Sequence, residues 1–293
     1  MARRVNRFPS SDTQGVLRPA RIGAMLRSVI ATLLVLAAAL AAEPPPIVVQ
    51  PTPAPAAPAP AAEAEDLASL LARADAVWLE RDAPGRLETS RDALAAAARL
   101  APEAAAVLWR LARHEAWLSE DPAIPDKLKS ELGKKAWLLG ERAIAADPAA
   151  VEGWFYAVSG MGNYSLGIGI LSALAQGIEG KFKDRLSQAE RLDPRFLGGA
   201  IPVAWGRFWF KLPWPKHDAR KCEQALRVGL AQNPDNVRAH VYLADLRLDE
   251  GRKAEARAEY QAALRKAPGQ YDAPEERRWQ GVAREALGRL ERR

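Results

Sequence analysis

From residue 65 onward, apolar side chains recur at helical spacing with charged residues between them, the signature of amphipathic helices that bury one stripe. The segment NVRAHVYLADLRLDEGRKAEARAEYQAALRKAP, 236–268, has the clearest pattern. Leu243, Ala244, Gly251, Ala256, Tyr260, Ala263 and Pro268 alternate small and large positions over a 34-residue helix-turn-helix. Small residues at 244, 256 and 263 let two antiparallel helices approach, Gly251 permits a tight turn, and Pro268 stops the second helix. Upstream, Pro102, Pro148, Pro194, Pro234 and Pro268 punctuate the chain at intervals of 46, 46, 40 and 34 residues. A period of this size predicts a solenoid of helical hairpins.

The same anchoring places Gly85, Leu94 and Ala97 in the first unit, Ala136 and Ala143 in the second, Ala189 in the third and Leu226 in the fourth. The pattern resembles the tetratricopeptide repeat family, with His240 where that family usually has Trp and Arg247 where it has Tyr. The expected fold is all-α: a right-handed α-solenoid of about five such hairpins with inter-helix insertions and a C-terminal capping helix. The insertions fall on SEDPAIPDKLK (119–129), SLGIGILSALAQG (165–177) and KLPWPKHD (211–218). The cap is the last amphipathic segment, with Trp279, Val282, Ala283, Ala286, Leu287 and Leu290 on one face.

Charge adds little to this picture beyond the leader. The chain has 42 basic and 36 acidic residues; six arginines and one aspartate lie in 1–41, which leaves 36 against 35. The balance of the repeat region therefore does not point to nucleic acid. Residues 1–42 read as a leader: MLR from Met25, then the apolar run to Ala42 with Ala39-Leu40-Ala41 as a cleavage pattern, which predicts export, with Met25 as a candidate start. Val29 to Ala42 is 14 residues, short for a bilayer span, so membrane contact is expected only through an uncleaved leader. Residues 43–64, with eight prolines, predict an extended tether, and 65–293 the repeat domain. Cys222 is the only cysteine and is expected to be buried and inert inside a helix.

Catalytic motifs are absent from the pattern. Gly162 and Gly167 have the spacing of a phosphate loop, but Ile168 and Gly169 stand where Lys and Ser or Thr are needed. His114, His217 and His240 have no ligand-spaced partner, and no serine sits in a G-x-S-x-G elbow, so neither an enzyme nor a cofactor or metal is expected. Aromatic residues cluster instead in the first helices, which line the concave face of a solenoid. Trp154, Tyr156 and Phe210 read as core, while Trp109, Arg113, Trp117, Phe155, Asn163, Tyr164, Trp205, Trp209 and Arg238 read as the lining of a groove for an elongated amphiphile or an extended peptide. The glycine-rich stretch GMGNYSLGIGI (160–170) is expected to end a concave helix and open the second insertion, as cavity wall or core filler.

Residues 164–226 also look like the T-component of tripartite ATP-independent periplasmic transporters, on Gly206, Arg207, Leu212, Pro213, Trp214 and Pro215; a weaker likeness is to regulator-of-microtubule-dynamics proteins. The first resemblance implies a periplasmic or envelope-associated repeat protein that meets a substrate-binding protein and handles an apolar small-molecule ligand. The alternative is an envelope scaffold that binds a peptide segment of another protein. Homo-oligomerisation is left open.

Overall fold

In a computed structural model, described over residues 65–292 except 266 and 270, twelve helices follow one another. They are α1 (Leu67–Trp78), α2 (Arg86–Leu100), α3 (Ala105–Ser119), α4 (Asp126–Ala146), α5 (Val151–Ile168), α6 (Ile170–Ala175), α7 (Ile178–Leu192), α8 (Phe196–Lys211), α9 (Ala219–Gln232), α10 (Val237–Asp249), α11 (Lys253–Leu264) and α12 (Ala273–Glu291). The leader, the Met25 start and the tether expected before residue 65 lie outside the described residues. The helices pair as α1/α2, α3/α4, α5/α7, α8/α9 and α10/α11, five hairpins in series, with α12 as the cap and α6 inside the third hairpin's insertion. Among the described residues no helix is long and apolar enough to cross a membrane.

The first four periodic prolines share one structural meaning. Between hairpins the amide of the fourth residue donates to the carbonyl of the first: Ala104 to Ala101, Ala150 to Asp147, Phe196 to Asp193 and Asn236 to Asn233. Proline holds the second position each time, where its fixed φ favours the turn. At three of these turns the Asp147, Asp193 or Asn233 side chain also accepts from the amide two residues on, at 2.9–3.1 Å. The alanine anchors go inside, and Leu226 with them: Ala97, Ala136, Ala189, Leu226, Ala244 and Ala256 are fully buried, whereas the turn glycines Gly85 and Gly251 are exposed.

Hairpins two and three meet along a seam of glycines, Gly133 and Gly140 on α4 and Gly153, Gly160 and Gly167 on α5, each seven residues from the next on its helix. A Cβ at Gly160 would lie 2.2 Å from the Trp137 amide nitrogen, and one at Gly140 would lie 2.6 Å from that of Ala157. Backbone therefore packs on backbone. This corrects the expectation for 160–170: α5 continues through Ile168, because Gly160 and Gly167 are seam positions inside it, and the helix breaks only at Gly169, φ 86°. The first insertion likewise becomes a short loop plus an extended α4, the longest helix among the described residues.

Helix α8 opens irregularly. Leu197, Gly198 and Gly199 take left-handed dihedrals, so the regular helix starts at Ala200 and Pro202 sits in its first turn, where no amide donor is needed. Its Gly206 lets the Leu226 side chain of α9 approach. Cys222 is buried in α9, and burial pushes its thiol up to about 12, as suits an inert side chain. Trp214 of the LPWP turn is 88% exposed. Arg247, at the family's Tyr position, is 3% exposed as a side chain and is held by Glu223 and by Glu250 at 2.9 Å.

Packing and charge each make a testable demand. Gly160→Ala should cost about 2–4 kcal/mol in urea unfolding, since the methyl meets backbone that cannot yield. Gly281→Ala on α12, where a Cβ meets nothing within 4 Å, should instead gain about 0.5–1 kcal/mol. The hydrogen bond from Arg247, against a smaller desolvation cost, lowers Glu223 from 4.5 to about 2. A carboxyl lowered by folding stabilises above its unfolded value and loses that stabilisation as pH falls through the folded one. Wild type should weaken between pH 4.5 and 2, by no more than about 3 kcal/mol from this group, and Glu223→Gln should flatten that part of the stability curve.

Candidate functional site

The solenoid closes on itself. Arg81, just after α1, donates to Asp272 before α12 at 2.7 Å, and Arg277 of α12 binds Asp82 through Nε and Nη2 at 2.5 and 2.8 Å. Arg278 donates to the Trp117 carbonyl at 2.8 Å. Arg238, near the start of α10, holds Glu120 past the end of α3 with two bonds of 3.0 and 2.8 Å. Its Nε lies 3.1 Å from Glu275 yet makes no aligned hydrogen bond, so that contact is Coulombic. The first and last elements of the domain, some 190 residues apart, thus share one seam.

A stack of guanidinium groups and indoles runs along this seam. Arg278 lies over Trp117 at 3.2 Å, Arg81 over Trp117 and Trp78 at 4.0 and 4.4 Å, and Arg113 over Trp78 at 4.3 Å. Arg113 also reaches Trp109 at 5.1 Å, with Arg110 over the same ring at 4.0 Å. Asp75 anchors both of these arginines. Each such contact is worth roughly 0.5–2 kcal/mol, more when water is excluded. Trp109 in turn stacks on Tyr156 of α5 at 6.1 Å.

Inside the closed solenoid is a cavity of about 620 Å³, within the roughly 300–1,000 Å³ of small-molecule sites. One side is apolar: Val158, Leu166, Ile170, Leu174, Ile178 and Phe182 come from α5, α6 and α7. Helix α8 contributes Ala200, Val203, Ala204 and Phe208, one stripe counted from the true start of the helix. The other side holds the seam charges Arg81, Glu120, Arg238, Asp272 and Glu275. Glu275 is packed among protein atoms, and its accessible surface faces the cavity; burial raises its carboxyl pKa, Arg238 opposes this and Glu120 adds to it. Burial also raises Tyr156 and Tyr242, both on the wall. Leu79, Leu197 and Tyr271 are exposed at the rim.

The nine lining candidates divide. Arg113, Trp117, Phe155, Asn163 and Arg238 face the cavity. Asn163 is committed to α3, since its amide donates to Ser119 Oγ at 2.7 Å, and Arg113 and Arg238 are bound by carboxylates. Trp109 is in the stack but behind the wall. Tyr164 turns to the other flank of α5, against Trp137 and Gln176, where it pins the end of α6. Trp205 and Trp209 also miss the cavity: they stack on each other at 6.2 Å, with Trp205 on Glu190 and Trp209 under Lys221. The reason is phase, because the left-handed residues 197–199 shift the helix start and bring 204 and 208 inward instead. Tyr156, expected in the core, lines the cavity. Trp78, Arg81, Arg278 and Trp279 were not foreseen, because the first hairpin and the cap were not counted as groove; the apolar stripe of α12 that includes Trp279 was the available signal.

Asp272→Asn keeps the cap on α12, because an amide oxygen can still accept from Glu275 N, but leaves the buried Arg81 without its charge partner. Hydrogen exchange across 273–291 should then quicken by the equivalent of about 1–3 kcal/mol, while α4 and α5 keep their protection. Unchanged exchange in α12 would deny the seam any weight.

No family profile and no curated protein sequence matches the chain. Among solved structures it is similar to TTC0263, described as a thermophilic TPR protein of Thermus thermophilus, with a TM-score of 0.57 and 22% identity over 76% of this chain and 99% of that one. A second is Pseudomonas aeruginosa PilF, with a TM-score of 0.47 and 15% identity over 76% and 93%. The likeness to TTC0263 is one of fold, a tetratricopeptide-type array of helices.

Proposed function

We propose that this chain is an exported, non-enzymatic binding module whose cavity holds an apolar or amphiphilic small molecule. The observation that carries the reading is the cavity of about 620 Å³ with an apolar side to which an insertion, α6, that a plain repeat does not need contributes beside α5, α7 and α8. Its other side is charged, so the guest has a polar end. Export rests on the sequence of residues 25–42 alone. A place beside a periplasmic substrate-binding protein of a tripartite transporter rests on the likeness at 206–207 and 212–215. Trp214, 88% exposed on the LPWP turn, also favours a role as a scaffold for another envelope protein, because a bare indole on a proline-braced turn is a ready anchor.

The ligand reading is tested on the purified full-length protein by solvent extraction and mass spectrometry, together with the neutral probe N-phenylnaphthylamine. An apolar compound should be released on denaturation, and the probe should bind once it is removed. Ala204→Trp, which fills the cavity from α8, should abolish both while the fold persists by circular dichroism. Equal probe binding by the folded variant would overturn the reading.

A further inference from the structure

The cations that line the cavity differ in how they are satisfied. Arg81 has Asp272, Arg113 has Asp75, and Arg238 has Glu120 and Glu275. Arg278 sits on the Trp117 ring and carbonyl, and Lys129 donates to the carbonyls of Ser119 and Asp121 at 3.0 and 3.3 Å. Lys211, at the end of α8, has neither a carboxylate nor a carbonyl within bonding reach among the described residues; its ammonium lies 5.6 Å from the Phe210 ring centre.

Asp245, the carboxylate that acts on this ammonium, is already engaged. Asp245 Oδ2 accepts from Arg207 at 2.8 Å and Oδ1 from the Tyr260 hydroxyl at 2.9 Å. Arg207 and Lys211, one helical turn apart on the cavity stripe, therefore face a single negative charge. Burial lowers the Lys211 ammonium, and Arg207 lowers it further against Asp245. A lysine that served only the C-terminal dipole of α8 would keep its ammonium in water. This one is half-buried beside Phe208, which stacks on Phe182 at 4.9 Å, and beside Leu212. A partly buried surplus charge calls for a partner, and one unit of negative charge completes the set.

We propose that the cavity's guest is a single-chain carboxylate, with its carboxyl group between Lys211 and Arg207 and its apolar chain along α5, α6 and α7. The proposal rests on the ligand-cavity reading and deepens it. Two cations against Asp245 favour a monoanion over a phosphate dianion, and the apolar wall beginning at Phe182 and running through Ile178 and Leu174 takes the chain.

The test is competition against bound N-phenylnaphthylamine in the full-length protein by dodecanoate, dodecanol and dodecyltrimethylammonium. A charge-assisted contact should make dodecanoate at least about tenfold tighter than dodecanol. Lys211→Met should erase that ratio with the alcohol unaffected, and Lys211→Arg should retain it. Equal binding of acid and alcohol by wild type, or a ratio that survives in folded Lys211→Met, would overturn the carboxylate site and leave the cavity reading standing. If no probe binds wild type, the cavity reading fails and takes this one with it. Should Lys211→Met not fold, wild type decides: tighter binding of dodecyltrimethylammonium than of dodecanoate refutes the proposal, and the reverse supports it.

Discussion

The backbone contact between α4 and α5 is the constraint on which the rest of this domain depends. In most of the solenoid, successive helices keep their distance through side chains, but here five glycines remove them. The register runs antiparallel down the whole seam: Gly167 meets Ser130, Gly160 meets Trp137, Ala157 meets Gly140, and Gly153 meets Ile144. A seven-residue interval keeps the glycines on one stripe over these helices, so the approach is continuous. Hairpins two and three are thereby drawn together at the middle of the array, between the two ends that meet.

Where the ends meet, the chemistry is of another kind. No run of small residues joins α12 to the α1/α2 loop; charged and aromatic side chains do. Arg81, Arg110 and Arg113 each serve at once as an ion-pair donor and as a flat surface for an indole, a dual use open to arginine and not to lysine. Arg81 makes the point, with its side chain nearly wholly buried between Trp78 and Trp117 while Nη2 reaches Asp272. Exposed pairs alone would contribute little. Packed between rings, the same charges are desolvated and fixed in direction.

Much of the fold was legible in the sequence because it is local. The Asp-Pro and Asn-Pro junctions write their own turns, and Ala244, Ala256 and Ala263 mark close helix packing wherever the repeat recurs. The site was less legible because its parts depend on phase and on distant contacts. Two glycines and a leucine in left-handed conformation at the start of α8 moved the inward stripe by one position, enough to exchange Trp205 and Trp209 for Ala204 and Phe208. The glycines of 160–170 suggested a break because glycine disfavours helices, whereas tertiary packing made two of them helix-compatible. That the cap would share a wall with the first hairpin could not be read from any local pattern, since it depends on the summed curvature of five hairpins.

These two seams differ in what they allow. The glycine seam is backbone against backbone and cannot widen without losing its whole contact, so hairpins two and three behave as one block. The closing seam is made of side-chain ion pairs and ring stacking, which can separate one contact at a time and weaken with salt where they reach water. The seam between α12 and the α1/α2 loop is therefore the more separable of the two. The apolar side formed by α5, α6 and α7 belongs to the rigid block, and the charged side belongs to the part that gives. An amphiphilic guest held as proposed would thus lie against a wall fixed by backbone packing on one side and by side-chain contacts on the other.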